Sequence, residues 1–256
     1  MRLMPQLRRL KWRFWYSLLA WISPKGNANF TTMNWGYEDG SFAVDGDERF
    51  ALQLYHKLTD GVPIQGGKLG EIGCGRGGGI AYLHGARQPA SAVGVDLTPS
   101  NLEIARRSFG DRPGLDFRPG HAEAMPFADG ELDALMTVES SHCYPDEAAF
   151  LAEAARVIRP GGYLLWTDFR RREELPALRE RLQARFTIEE ELDITEGVIR
   201  SSMADRARRQ ALIRAHGPRL IQGLLLNFAA ATDESETLQR FTGGGWQYFI
   251  FRAKRP

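Results

Sequence analysis

Between residues 68 and 167, short apolar segments alternate with longer amphipathic ones. The apolar segments are four to eight residues long and end at glycine or polar positions, which is typical of strands buried on both faces. This alternation predicts a parallel sheet with helices on both faces and a ligand beyond the carboxyl ends of the strands. The predicted strands are residues 68–72, 90–97, 115–118, 132–138 and 163–167, and the predicted helices are residues 78–85, 99–108 and 146–158.

The pattern becomes less regular toward the carboxyl terminus. The β-prone residues 246–251 are predicted to form a last strand at the edge of the sheet. We expect residues 196–242 to be an insertion that caps the pocket, within a main domain of residues 61–256. The other predicted elements are a turn at residues 160–162, a charged helix that begins at 170–172, a strand at 186–195 and a helix at 196–216.

The amino-terminal segment is basic and then aromatic. Five basic residues occupy positions 2–13, and an apolar run follows at positions 14–22. That run is too short to span a bilayer, which takes about 20 apolar residues. It could be a secretion signal, a helix of residues 8–22 resting on a membrane surface, or a helix packed over the pocket. We favour the last interpretation and predict a helical lid within residues 1–60.

Charge and cysteine content narrow the class of protein. The 256 residues include 33 basic and 32 acidic side chains, which gives a formal net charge of +1. A strongly basic balance would be expected of a nucleic-acid-binding protein, so no nucleic-acid partner is predicted. Cys74 and Cys143 both lie in motifs described below, which favours free thiols in a reducing cytoplasm, with or without membrane association. No cluster of acids and histidines has metal-ligand spacing, so no metal is expected.

A glycine-rich loop, residues 73–79, lies between the first predicted strand and the helix that follows it. Glycines let a backbone approach a ligand closely, and the helix start offers free amide groups. Asp96 ends the next strand about 20 residues later, where an acid can accept hydrogen bonds from ribose hydroxyls. These features predict a nucleoside-like cofactor. Gly73, Gly75 and Gly78 also satisfy the GxGxxG pattern of dinucleotide-binding folds, so an NAD-dependent oxidoreductase stays open at this point.

A series of further motifs distinguishes a nicotinamide cofactor from other nucleoside-like cofactors. Glu71 precedes the glycines inside the strand, and polar segments follow the later strands at residues 120–127, 138–144 and 157–163. In order and spacing, the series resembles that of the class I S-adenosylmethionine-dependent methyltransferases. This resemblance implies a Rossmann-like α/β fold with a mostly parallel seven-stranded sheet, helices on both faces and a terminal cap. It also implies S-adenosylmethionine as the cofactor.

The resemblance extends to one branch of that family. The motifs Asn34-Trp-Gly-Tyr37, Leu54-Tyr-His56, Glu139-Ser-Ser-His-Cys-Tyr-Pro145 and Phe150-Leu-Ala-Glu153 are similar to those of the mycobacterial phthiotriol/phenolphthiotriol dimycocerosate methyltransferases. Related enzymes O-methylate other lipids and polyketides. The likeness is good over residues 30–170 and looser beyond, where the substrate is usually selected.

The resemblance implies a role for each residue of the cofactor site. Gly73, Gly75 and Gly77, after Glu71, would face the amino-acid part of the cofactor. Asp96 would hold the ribose hydroxyls. The remaining positions are Leu97 against the adenine, Ala122 and Glu123 at the adenine edge, Glu139 at the sulfonium end, and Tyr37 closing over the methionine portion.

His121 stands where related enzymes usually carry aspartate. A neutral histidine can also accept a hydrogen bond from the adenine amino group through one ring nitrogen. The alternative is that His121 points to solvent and the backbone alone holds the adenine.

Methyl transfer to an alcohol requires loss of the hydroxyl proton, and His142 is the candidate general base. It follows the fourth strand, and histidine titrates near neutrality. The alternative is that His142 caps the next helix or only lines the cavity. His56 and His216 are weaker candidates for the base.

The acceptor is expected to be hydrophobic. Aromatic residues are concentrated at both ends of the chain, for example Trp35 and Trp246, and such a lining suits a lipid, polyketide or terpenoid. The same aromatics could instead stabilise a cation during C-methylation of an alkene. O-methylation is favoured through the family resemblance.

Overall fold

The computed structural model describes residues 31–40, 46–217, 219–228 and 235–256. The predicted amino-terminal helix of residues 8–22 lies outside the described residues, as does the side chain of His216. Within the described ranges, no helix combines the length and apolar character that crossing a membrane requires.

The centre of the molecule is a seven-stranded sheet of order β3-β2-β1-β4-β5-β7-β6. All neighbouring strands are parallel except β7, which is antiparallel to both β5 and β6. This confirms the predicted fold class, and strand order reverses between β1 and β4. The strands are β1 Lys68–Ile72, β2 Ser91–Asp96, β3 Leu115–Pro119, β4 Leu132–Val138, β5 Ile158–Arg171, β6 Thr187–Asp193 and β7 Trp246–Lys254.

Helices cover both faces of this sheet. One core joins the sheet to α1, α2, α3 and α6 through residues such as Leu54, Ile80 and Val198. A second core lies on the other face and joins it to α4 and α5 through Phe150 and Leu178. The helices are α1 Arg49–Leu58, α2 Gly78–Arg87, α3 Pro99–Phe109, α4 Glu147–Val157, α5 Leu175–Gln183, α6 Thr195–Ala204, α7 Arg206–His216, α8 Gln222–Phe228 and α9 Glu236–Thr242.

The last strand is not at the edge of the sheet, so that prediction was wrong. β7 lies between β5 and β6, and its inner residues 247–253 are all buried. It is apolar at consecutive positions and needs cover on both sides. β6 carries three consecutive glutamates and is half-exposed, which suits an edge strand. β7 is therefore the last strand in the sequence but lies between β5 and β6 in the sheet.

Two other boundaries differ from prediction. The expected turn at residues 160–162 is a bulge inside β5, where Gly161 has φ +76° and donates its N–H to the carbonyl of Arg255. β5 then continues to Arg171, paired with Trp246, so the charged helix does not begin at 170–172. α5 begins only at Leu175.

The predicted helix of residues 196–216 is divided into α6 and α7 at Asp205. The Asp205 carboxylate accepts hydrogen bonds from Arg208 and Arg209 in the next turn. α6 to α9 form an insertion between β6 and β7, where the sequence predicted one.

Candidate functional site

A cleft lies at the carboxyl ends of β1, β2 and β4, where strand order reverses. It encloses about 980 Å³, counting the space open to solvent at its mouth. The cleft lies where open α/β sheets bind ligands. Its walls are residues 31–34, 72–76, 96–98, 120–123, 138–140 and 143–145, with Tyr55 and Asn101.

The glycine loop forms the floor of the cleft. Gly73, Gly75 and Gly77 all have positive φ, from +56° to +79°, a region that other residues enter at a cost. A Cβ on Gly73 would lie 2.5 Å from Ser140, and one on Gly75 would lie 2.7 Å from Met33. Gly73 and Gly75 line the cleft, whereas Gly77 caps α2 and packs against Phe117 outside it. The loop therefore needs glycine for its backbone and for close approach.

Asp96 anchors the loop from the end of β2. Its buried carboxylate accepts hydrogen bonds from the backbone N–H groups of Gly75 and Thr98, each at 2.8 Å. Burial raises the pKa of this carboxyl, against the lowering effect of those N–H donors. Beside it, Oδ1 of Asn101 is buried in the cleft wall with no hydrogen-bond partner. A ligand hydroxyl pair would satisfy both groups, so the residues present fit a ribose.

His121, Ala122 and Glu123 follow β3, and all three line the cleft. His121 is about one-third exposed, and its Nδ1 lies 3.1 Å from Oε2 of Glu123. Leu97 is 37% exposed on the adjacent wall. The structure therefore brings these four predicted residues to one end of the cleft, with an apolar surface opposite a polar edge. A flat, partly polar base fits that arrangement.

A strap of residues 31–34 crosses the glycine loop and forms another side of the cleft. Glu48 holds it by accepting the backbone N–H of Thr31 at 2.9 Å and of Thr32 at 2.8 Å. The two threonine hydroxyls add bonds of 2.5 and 2.7 Å to the same carboxylate. The carbonyl of Thr31 in turn accepts the N–H of Gly78 at 3.2 Å. Sequence reasoning missed this strap because its anchor, Glu48, lies 16 or more residues away in an otherwise polar stretch.

Glu139 directly follows β4, has a positive φ of +46° and lines the cleft. Its Oε1 accepts the backbone N–H of Trp35 at 2.6 Å and the hydroxyl of Tyr248. Burial raises the pKa of Glu139 to about 7, partly offset by these two donors. The site thus joins a residue of the amino-terminal segment to one of the last strand. Tyr248 is a site residue that the sequence analysis did not identify.

His142 lies in a short 3-10 turn, Ser141–Cys143, directly after this carboxylate. Its Nδ1 is 2.8 Å from Oδ1 of Asp168, and its backbone N–H donates to the other oxygen at 3.0 Å. Burial alone would lower the pKa of His142, but the charge and hydrogen bond of Asp168 raise it to about 10. The pKa of Asp168 is lowered, because His142 and Arg170 outweigh its burial. His142 does not cap α4, since Asp146 does.

The ring of His142 faces an aromatic cluster next to the cleft. Its centroid is 4.7 Å from that of Phe169. Phe169 in turn contacts the other members, at centroid distances of 5.7 to 6.3 Å. The cluster comprises Trp35, Phe169, Phe241, Trp246 and Tyr248. It combines an apolar surface with one titratable ring, as a site for a hydrophobic acceptor would.

Several predicted residues lie away from the cleft. Tyr37 packs its ring on Gly197 of α6 and is not among the residues that line the cleft. Glu71 lies beneath the cleft wall, where it accepts the hydroxyl of Tyr55 at 2.8 Å, and burial raises its pKa to about 8. His56 contacts Tyr82 on the outer side of α1 and α2.

Comparison with known proteins relates the chain to methyltransferases. The family described as "Methyltransferase domain" matches residues 70–166. The phthiotriol/phenolphthiotriol dimycocerosates methyltransferase of Mycobacterium leprae is 33% identical over 245 residues, covering 91% of this chain and 87% of the relative. Methyltransferase 1 of that name from Mycobacterium ulcerans is 41% identical over 170 residues, 64% of this chain and 62% of the relative. The match therefore spans less than two thirds of that relative's length.

A fatty-acid O-methyltransferase of Mycolicibacterium smegmatis is 34% identical over 217 residues, covering 82% of this chain and 79% of the relative. Among solved structures, the [4+2]-cyclase SpnF has a TM-score of 0.71 at 21% identity, covering 99% of this chain and 96% of that one. A geranyl diphosphate methyltransferase in complex with its substrate and sinefungin has a TM-score of 0.71 at 18% identity, covering 97% and 99%. These two structures share the fold.

Proposed function

Since this chain belongs to the class I S-adenosylmethionine-dependent methyltransferases, with S-adenosylmethionine as its cofactor, we propose that it methylates an oxygen atom of a hydrophobic small molecule. The observation that carries this proposal is the His142–Asp168 pair beside both the cofactor cleft and the aromatic cluster. Family membership also decides between S-adenosylmethionine and the nicotinamide cofactor that the glycine pattern had left open.

The cleft residues hold the cofactor. Asp96 and Asn101 would bind the ribose hydroxyls, while Leu97 and residues 121–123 would enclose the adenine. The Thr31–Asn34 strap would cover the bound cofactor and exclude water. The cofactor supplies a methyl group already activated by its sulfonium, so alignment of the acceptor accounts for most of the rate.

His142 would take the proton from an acceptor hydroxyl. Asp168 accepts the hydrogen bond from Nδ1, which orients the ring and selects the neutral tautomer with its lone pair on Nε2. A positioned base of this kind contributes about 10²–10⁴-fold to a rate. Because Asp168 raises the pKa of His142, the base is protonated at neutral pH, and turnover should increase as the pH rises.

The acceptor would lie on the aromatic cluster, beneath the insertion of α6 to α9. Phe241 from α9 and Trp35 from the amino-terminal segment belong to that cluster, so both ends of the chain contribute to the acceptor site. On these grounds we assign the described helices α6 to α9 to the cap that the sequence predicts at residues 196–242. A lipid or polyketide fits such an apolar surface, in keeping with the lipid-methylating names of the relatives.

A carboxylic acid is the second candidate acceptor. The raised pKa of His142 leaves an imidazolium beside the aromatic cluster, which would pair with an acceptor carboxylate. A carboxylate needs no base, and one relative is a fatty-acid O-methyltransferase. The two acceptors differ in pH dependence, because a carboxylate would be methylated more slowly once His142 loses its charge.

The test is product analysis with a labelled methyl donor. The full chain is incubated with trideuteromethyl S-adenosylmethionine and a panel of long-chain alcohols, phenolic lipids, fatty acids and isoprenoid alkenes. We expect the label on oxygen, as an ether or an ester, by mass spectrometry and NMR. Label on carbon would establish C-methylation and refute O-methylation. The Asp96→Ala variant is the control for cofactor-dependent labelling.

A further inference from the structure

Glu139 is a half-buried carboxylate in the wall of the cofactor cleft, and it forms no ion pair within the part of the chain that the structure describes. Its Oε1 is held by two neutral donors, the N–H of Trp35 and the hydroxyl of Tyr248. Among the residues described by the structure, no lysine, arginine or histidine forms an ion pair with it. An ionised carboxylate without a counter-charge is costly to bury, so such groups normally pair with a cation or lose their charge.

The charged groups around Glu139 do not supply that cation. Tyr248 of β7 and Tyr55 of α1 are neutral phenols whose pKa values burial raises further. His142, in the turn after β4, lowers the pKa of Glu139, whereas Asp168 of β5 raises it. Because His142 and Asp168 are paired with each other, their effects oppose one another. The pKa of about 7 that results leaves Glu139 divided between its two protonation states at neutral pH.

We propose that Glu139 is a specificity residue that pairs with the sulfonium of S-adenosylmethionine and so favours the cofactor over its product. Methyl transfer turns the positively charged sulfur into a neutral thioether, while the rest of the molecule stays the same. Glu139 would then lose its counter-charge at the moment of transfer. S-adenosylhomocysteine would bind more weakly than the cofactor, which promotes its release.

The surrounding backbone keeps this carboxylate at one position. Positive φ at Glu139 fixes where its side chain leaves β4, and Trp35 and Tyr248 hold Oε1 from opposite ends of the chain. Among the described residues, both hydrogen bonds to this carboxylate end on Oε1, which leaves Oε2 to face a ligand within the cleft. A carboxylate fixed in this way can distinguish two ligands that differ by one charge, because pairing with a charged centre in a site of low dielectric constant is strong.

The cofactor carries a second cation, the α-ammonium of its methionine part, and the experiment must distinguish the two. S-adenosylhomocysteine retains the ammonium but lacks the sulfonium. Sinefungin carries an amine in place of the methylated sulfur. If Glu139 pairs with the ammonium, replacing Glu139 weakens the binding of all three ligands equally. If it pairs with the group at the sulfonium position, the binding of S-adenosylhomocysteine is unchanged.

The test measures the dissociation constants of the three ligands by calorimetry, with the full chain and its Glu139→Gln variant, at pH 6 and pH 7.5. For the native chain, the preference for S-adenosylmethionine over S-adenosylhomocysteine should increase about fourfold over this range, as Glu139 ionises. The variant should lose about tenfold in affinity for S-adenosylmethionine and sinefungin, and little for S-adenosylhomocysteine. The ligands' own protonation affects the variant and the native chain equally, so it cancels when their dissociation constants are compared at the same pH.

An equal loss for all three ligands, or a native preference that is independent of pH, would overturn the proposal. The native pH dependence needs no substitution, so a misfolded variant does not affect that arm. Tyr248→Phe keeps the carboxylate but removes a donor that lowers its pKa, so this variant should retain the preference and develop it at a higher pH than the native chain. The inference rests on the cofactor of the proposed function and on binding alone. A failure of O-methylation would appear only in the product analysis, so the two failures are distinguishable.

Discussion

Nδ1 of His142 lies 2.8 Å from Oδ1 of Asp168, and this contact between a partly buried histidine and a fully buried carboxylate raises the pKa of the histidine. Asp168 is fully buried within β5, with Arg170 3.4 Å from its other oxygen. The carboxylate is therefore ionised, and it stabilises the imidazolium over the neutral ring. In the proposed mechanism, the same contact would orient the ring for proton transfer and would keep the ring protonated until the pH is high.

Asp168→Asn should change the pH profile of turnover. A folded-state pKa of about 10 for His142 means that the neutral base becomes abundant only as the pH rises toward that value. For a hydroxyl acceptor, kcat of the native chain should thus increase about tenfold per pH unit above pH 7 and level off near 10. Without the carboxylate charge, the pKa of His142 falls and the rise should move to lower pH, with a lower plateau.

The measurement is kcat against pH from 6 to 10.5 for both proteins. Asp116→Asn is a suitable control, because Asp116 is an exposed residue of β3 that pairs only locally with Arg118. Identical profiles for the native chain and Asp168→Asn would show that this contact does not govern the base. A rate that falls at high pH would favour a carboxylate acceptor.

Asp96→Ala should weaken cofactor binding and leave the fold intact. The variant loses the ribose acceptor and also frees the N–H groups of Gly75 and Thr98 that hold the loop. Hydrogen bonds to a charged group contribute about 1.5–3 kcal/mol, so the dissociation constant should rise about 10- to 100-fold. Calorimetric titration with S-adenosylhomocysteine measures this, and Asp116→Ala is the matched control. An unaltered affinity would be incompatible with the ribose role.

Glu48→Ala should release the strap over the cofactor. Four hydrogen bonds of 2.5–2.9 Å join Glu48 to Thr31 and Thr32, and all are lost in this variant. We expect cofactor dissociation to accelerate about tenfold and proteolysis near residues 31–40 to increase. Glu48→Gln keeps Oε1, which accepts three of the four bonds, so it should show a smaller effect. If both variants dissociate at the native rate, the strap does not retain the cofactor.

Two glycines of α2 give a matched pair for stability. A Cβ on Gly79 would overlap the ring of Tyr55, whereas one on Gly85 meets nothing within 4 Å. Gly79→Ala should lower the free energy of unfolding by about 1–3 kcal/mol through overpacking. Gly85→Ala should raise it by up to about 1 kcal/mol, because alanine favours the helix. Denaturant unfolding measures both, and similar values for the two would contradict the packing of α2 on Tyr55.

The sequence predicts most of the fold because its parallel strands are short, apolar and regularly spaced. The prediction fails at β7, because a strongly apolar segment indicates that a strand is buried but does not indicate its place in the strand order. The half-exposed glutamates of β6 were the available signal for the edge strand. At residues 160–162, proline and glycine indicate a local change of direction, which a β-bulge satisfies as well as a turn.

In the candidate site, too, the residues predicted correctly are those with a local sequence signal, and the residues missed depend on contacts between distant parts of the chain. Asp96 and His142 were predicted because each follows a strand whose end could be located. Asp168 was missed, although it also follows an apolar run, because its partner lies 26 residues earlier. Tyr37 was assigned to the cleft, but Gly36 with φ +75° turns the chain so that the ring packs on α6. Such turns depend on tertiary contacts, which the local pattern does not contain.

We propose that His142 accepts the proton of an acceptor hydroxyl and takes little part in cofactor binding. A single-turnover measurement of methyl transfer tests this role, with His142→Ala and the native chain both saturated with labelled cofactor at pH 9. We predict a rate lower by about 10²–10⁴-fold in the variant, with the dissociation constant of S-adenosylmethionine changed less than about twofold. A variant that transfers methyl at the native rate would contradict the account.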